Sequence, residues 1–136
     1  MQEMLKRTVT AVGGRNGVVR SENSDTTFTL RKPVEMGGKN QPGTDPEELF
    51  AAGYASCLAS AIEYLLSANN VEFEEVSVEA TNHLMMVPDK GFQFALTVKA
   101  RIKGVPKDVE KSYIDKGQAF CPFSRSIQGN VTITHI

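Results

Sequence analysis

Apolar and polar positions alternate through the first thirty residues, with Leu5, Val9 and Ala11 in one short segment, Val18 and Val19 in a second, and Phe28 and Leu30 in a third. Such alternation marks half-buried strands. The stretches GGRNG at 13–17 and ENSDT at 22–26 supply turns between them, so the predicted opening is three short antiparallel strands. An irregular loop rich in Gly37, Gly38, Pro42 and Gly43 comes next, and it leads into a strong helix start. Asp45 suits the N-cap, Pro46 the first helical position, and Glu48 the acid of a capping box. The spacing predicts a helix from about Pro46 to Ala68.

Between Leu49 and Leu66 the only charge in that helix is Glu63, so it is expected to be surrounded by protein. Gly53, Ser56, Ser60 and Glu63 argue for a central helix packed through small residues rather than a membrane span. Two long alternating segments follow, 71–87 and 91–102, which predict a hairpin closed by Pro88, Asp89, Lys90 and Gly91. A second helix is predicted from about Pro106 to Phe120, with Val109, Tyr113, Ile114 and Phe120 on its apolar side, and a last strand over 130–136. The order βββ-α-ββ-α-β is that of an α+β domain in which a long antiparallel sheet packs against a central helix.

The length of 136 residues suits one domain, 1–136, and lies near the size at which burial by dimerisation helps. Acids and bases are mixed along a chain of net charge −1, which leaves no basic stripe for nucleic acid and no polybasic segment for a membrane surface. Lys6 and Arg7 are not followed by an apolar run of signal length, so a reducing cytoplasm is the expected location. In that compartment two cysteines point to catalysis, sensing or unpaired thiols before they point to a structural staple.

Cys57 sits within the apolar run LFAAGYASCLASAIEYLL, and Cys121 opens CPFSRS at the end of the second helix, where it could present a thiol to a partner. A cysteine inside a buried helix also packs simply as a small hydrophobe. Whether the two sulfurs meet depends on the fold bringing their Cα atoms within roughly 4.4 to 6.8 Å. A reactive thiol must become thiolate, and from an ordinary pKa of about 8.5 full ionisation at pH 7 gains only about thirtyfold. Larger acceleration needs a fixed cation that positions substrate and stabilises a departing alkoxide. Arg15, flanked by glycines in GGRNG, is the candidate, with a solvated turn residue as the alternative. Glu47 is the helix-entry acid left free by the cap, with stabilisation of the helix dipole as its alternative role. Ten residues of continuous helix hold Glu47 about 15 Å from Cys57, so the pair requires a later helix start or a composite site in a dimer.

PEELFAAGYASC followed far downstream by CPFSRSIQGNV, with GGRNG near the start, resembles the organic hydroperoxide resistance branch of the OsmC-like proteins over essentially the whole chain. The resemblance implies an intertwined homodimer whose antiparallel sheets wrap central helices, and a cysteine-based peroxidase acting on organic and fatty-acid hydroperoxides. It implies Cys57 as the peroxidatic thiol that becomes a sulfenic acid, and Cys121 as the resolving thiol that forms a disulfide with it. Arg15 is then the group that activates the thiolate, and Glu47 holds the arginine in place. A dihydrolipoyl group on a lipoylated protein is the implied reductant, with no cofactor and no metal. Phe123 stands where many relatives carry tyrosine. The competing readings are a dimer that binds hydrophobic ligands with inert cysteines, and a redox sensor. Tyr54 and Tyr64 are expected to be buried, Met85 and Met86 to pack in the core or turn, and His83 and His135 to serve surface or packing roles.

Overall fold

The computed structural model describes residues 1–136, which form two compact units, Met1–Leu49 and Phe50–Ile136. In the first unit, β1 (Val9–Val12), β2 (Val18–Ser21) and β3 (Thr27–Thr29) make the expected antiparallel sheet in the order β1-β2-β3. A single 3-10 turn over Gly14–Asn16 connects β1 to β2, entered through Gly13 and Gly14 at φ 88° and 56°. Glycine reaches such angles without the crowding that a Cβ brings. After β3 the chain loops outward and returns, so that Thr44 lies beside Leu30 in a parallel bridge. Backbone hydrogen bonds from Arg31 N to Thr44 O and from Thr44 N to Thr29 O fix that return.

The return delivers the chain into helix α1 (Pro46–Ala68), whose bounds are those the cap residues predict. Asp45 Oδ1 accepts the Glu48 N–H at 2.8 Å, while the Glu48 carboxylate accepts from the Thr44 hydroxyl, so the cap reaches one residue further back than a capping box would.

In the second unit, β4 (Glu75–Val87) and β5 (Gly91–Lys103) pair antiparallel along thirteen positions, Glu75↔Lys103 to Val87↔Gly91. The last strand, β6 (Thr132–His135), pairs with β5 in parallel, which makes this sheet mixed rather than wholly antiparallel. The connection from β5 to β6 crosses over through α2 (Lys107–Phe120), as parallel neighbours require, and continues in a short helix absent from the predicted order, α3 (Pro122–Ile127). Leu96, Val98, Ala100 and Ile102 alternate inward along β5 and meet Tyr54, Leu58, Ala61, Ile62 and Leu66 from one face of α1. Gly117 lets α2 approach Ile62, where a Cβ would sit 2.4 Å from Cγ1.

Helix α1 is long and apolar enough to span a membrane by length and composition, but one face of it is built into this core. Its opposite face is not covered within the chain: Ala52, Ser56, Ser60 and Glu63 are exposed, and Tyr64, expected inside, is 60% exposed and stacked on Phe120. Phe120 therefore also turns outward instead of joining the α2 core side. Met85 and Met86 likewise stand exposed near the hairpin tip, because the strands there extend past the end of the core.

Candidate functional site

Two pairs of the predicted site residues come together. In the first unit, Arg15 projects from the 3-10 turn toward the first turn of α1. Its Nη1 donates to Glu47 Oε2 at 2.7 Å and its Nη2 to Oε1 at 2.6 Å. This fork-to-fork contact uses the planar guanidinium in a way a lysine cannot. Arg15 is thus a held side chain, one-third exposed, and not a solvated turn residue. The hydrogen bond and the carboxylate charge raise the Arg15 pKa further, and the same hydrogen bond lowers that of Glu47. A permanently charged pair with spare donors on its outer edge is a ready partner for an anion.

In the second unit, Cys57 on α1 and Cys121 at the junction of α2 and α3 are free thiols within hydrogen-bonding reach of each other. Cys57 is half-buried and Cys121 is fully buried, so Cys121 faces inward rather than outward to a partner. The junction explains the inversion. Cys121 caps α2 through its N–H to Gly117 O and opens α3 by accepting the Arg125 N–H, which rotates its side chain onto α1. Pro122 occupies the first position of α3, the one signal in the sequence that a new helix begins there. Six residues are too few to display a helical period.

Burial raises the Cys57 pKa, and the neighbouring Cys121 raises it further; the Phe123 backbone N–H, hydrogen-bonded to Cys57, opposes both. The surroundings of Cys57 in its own unit therefore favour the neutral thiol, and activation requires a cation beyond those surroundings.

Beside the thiols, Phe50, Pro122, Phe123, Ser126 and Ile127 line an apolar hollow of about 310 Å³. The Phe123 ring packs edge-on to Phe50 and directly over Gly53, where a Cβ would lie 3.0 Å from Cζ. Larger clefts occur elsewhere, one of about 430 Å³ among Arg31, Lys32 and Lys39 and one of about 480 Å³ along α2 and α3, but both have walls of mixed polar and apolar groups. Of the three, the hollow at Phe123 suits an alkyl or aryl group. Tyr54 and Ser124, which the sequence did not single out for chemistry, share a buried hydrogen bond of 2.8 Å between the same helices. Their pairing depends on α3 and leaves no local signature. His83 bonds Thr97 across the β4–β5 pair, and His135, exposed on β6, has its pKa lowered by partial desolvation.

The profile of the OsmC-like protein family matches residues 37–136. An organic hydroperoxide resistance protein-like 2 from Staphylococcus epidermidis is 33% identical, covering 93% of this chain and 89% of that protein. The organic hydroperoxide resistance protein OhrB of Bacillus subtilis is also 33% identical, over 92% and 91%. The crystal structure of an organic hydroperoxide resistance protein from Legionella pneumophila superposes with a TM-score of 0.92 at 34% identity, covering 98% of this chain and 97% of that one. A second, from Elizabethkingia anophelis, gives 0.93 at 32% identity over 99% and 96%. The chain belongs to the OsmC-like family, and its α+β architecture is the fold of those structures.

Proposed function

We propose that this protein is a thiol-dependent peroxidase that reduces organic and fatty-acid hydroperoxides to alcohols, working as a homodimer. The observation that carries the reading is the pairing of two free thiols, Cys57 half-buried and Cys121 fully buried, at the edge of an apolar hollow. The names of the relatives, organic hydroperoxide resistance proteins, support the same substrate class.

In the proposed cycle the Cys57 thiolate attacks the terminal peroxide oxygen, the O–O bond breaks, and the alkoxide takes a proton and leaves as the alcohol. Cys57 is left as a sulfenic acid. The Cys121 sulfur then attacks Cys57, water departs, and a disulfide forms. A dihydrolipoyl group on a partner protein restores both thiols by two exchanges and becomes the cyclic disulfide. The apolar hollow would hold the alkyl group and discriminate against hydrogen peroxide.

Arg15, steadied by Glu47, is the proposed activator of the thiolate. Cys57 is neutral in its own surroundings, and α1 begins at Pro46, so a later helix start does not bring Glu47 to the thiol. We assign the Arg15–Glu47 pair to the Cys57 of a partner protomer. The uncovered face of α1, with its small residues and Tyr64, supports association of two copies.

The test is consumption of cumene hydroperoxide and of hydrogen peroxide with a dihydrolipoyl reductant. Wild type should turn over the organic peroxide faster, Cys57→Ser should be inactive, and Cys121→Ser should fade through over-oxidation. Equal rates on the two peroxides, or turnover that survives Cys57→Ser, would replace this reading with that of a hydrophobic-ligand binding protein.

A further inference from the structure

Tyr54 and Ser124 are a buried pair of hydroxyls to which the peroxidase cycle gives no role. Tyr54 is 0% exposed and Ser124 7%, and their oxygens lie 2.8 Å apart. Tyr54 precedes Cys57 by three residues on α1, and Ser124 follows Cys121 by three at the start of α3. In a helix such spacing puts residues one turn apart on one face. Helix α1 and the start of α3 are therefore joined by two rungs about 5 Å apart, one made of thiols and one of hydroxyls. The Phe123 ring is seated beside them on Gly53, the residue before Tyr54.

The two rungs differ in strength. Thiols are weak donors and acceptors, whereas a buried hydroxyl pair makes an ordinary hydrogen bond whose loss leaves an unsatisfied polar group. Burial also raises the Tyr54 pKa above the usual phenol range, so the hydroxyl stays neutral. On its far side Ser124 borders a cleft of about 480 Å³ lined by both polar and apolar side chains, among them Asp115, Gln128, Val131 and Ile133. Once Cys57 carries an additional oxygen, the thiol rung can no longer keep Cys121 in place. The hydroxyl rung can.

We infer that the Tyr54–Ser124 hydrogen bond positions the resolving step, holding Cys121 beside Cys57 while Cys57 is a sulfenic acid so that the disulfide forms before a second peroxide arrives. The inference deepens the peroxidase reading and rests on it. In that step Cys121 gives up its proton and its sulfur electron pair forms the S–S bond. The Cys57 S–O bond breaks, and the departing oxygen collects a proton and leaves as water. No outside reductant or oxidant is consumed.

The test compares Tyr54→Phe, Ser124→Ala and the hydroxyl-retaining Ser124→Thr with wild type at rising cumene hydroperoxide. Two quantities are read: the rate of the first peroxide-consuming step, and the division of product between disulfide and sulfinic acid by intact mass. Tyr54→Phe and Ser124→Ala should keep the first step within about twofold of wild type, yet reach half sulfinic acid at about tenfold less peroxide, the scale expected for loss of one buried hydrogen bond. Ser124→Thr should return the division toward wild type. An unchanged division overturns the inference, as do equal losses in both steps or failure of both hydroxyl-deleted variants to fold, since each outcome makes the bond merely structural. A wild type that fails to consume the organic peroxide, or a Cys57→Ser variant that still does, sinks the peroxidase reading itself. Normal wild-type turnover with an unchanged division sinks only the positioning role.

Discussion

The guanidinium of Arg15 meets the carboxylate of Glu47 at two points, Nη1 to Oε2 at 2.7 Å and Nη2 to Oε1 at 2.6 Å, which fixes both the position and the plane of the cation. In the proposed reaction that cation faces a thiolate and a departing alkoxide. Arg15→Ala should lower kcat/KM for cumene hydroperoxide by about 10² to 10³, the usual effect of deleting a preorganised donor to developing negative charge. Arg15→Lys keeps the charge but loses the fork, and should fall between the two. Steady-state kinetics with saturating dihydrolipoyl reductant reads both; a loss below threefold in Arg15→Ala would remove Arg15 from the mechanism.

The same pair makes a signed prediction about pH. Glu47 has its pKa lowered, first by the hydrogen bond from Arg15. A depressed carboxyl stabilises the fold fully above the unfolded value, about 4.3, and that stabilisation disappears as pH falls through the folded value. Melting temperatures measured from pH 7 down to pH 3, on the order of the carboxylate range, should therefore drop more steeply for wild type than for Glu47→Gln. Parallel curves would mean that the pair adds nothing to stability.

At the contact of α2 with α1, a Cβ on Gly117 would lie 2.4 Å from Ile62 Cγ1, and both residues are fully packed. Gly117→Ala should destabilise the protein by about 1 to 3 kcal/mol through overpacking, seen in urea denaturation as a lower midpoint with an unchanged slope. Ile62→Ala, which removes Cγ1, costs about 2 to 5 kcal/mol alone, yet should cost markedly less in the Gly117→Ala background, where it relieves the overlap. Simple additivity of the two changes would argue against this close contact.

Phe123 lines the apolar hollow through its ring and bonds Cys57 through its backbone N–H. Phe123→Ala removes the ring and leaves the N–H. The expected result is a loss of about tenfold in kcat/KM for cumene hydroperoxide with little change for hydrogen peroxide, in line with what an apolar contact contributes to discrimination. Parallel losses on both substrates would instead show that the ring supports the thiols.

Elements with a strong local signal were legible in the chain. Asp45 and Pro46 mark the start of α1 at the residue where it begins, and the alternation after Glu75 marks a hairpin that closes as expected. The α3 helix was not legible: at six residues it is shorter than two turns, and only Pro122 announces it. That omission hid the turn that buries Cys121, while the parallel pairing of β6 with β5, which an antiparallel sheet leaves out, follows from the crossover through α2. The burial expected of Tyr64 failed for another reason, since an apolar helix specifies that it wants cover and not which chain provides it.

The two cysteines, the arginine turn, the helix-entry glutamate and the periodicities that make strands and helices are all readable along the chain, because these depend on residue type and near neighbours. That Arg15 grips Glu47, that Cys121 turns inward to Cys57, and that Tyr54 and Ser124 tie the same helices together emerges with packing in three dimensions. Each of those contacts joins residues more than thirty positions apart. A contact of that span is set by how whole elements pack, through the Leu30–Thr44 bridge in one unit and the turn at Cys121–Pro122 in the other, and no local pattern encodes it.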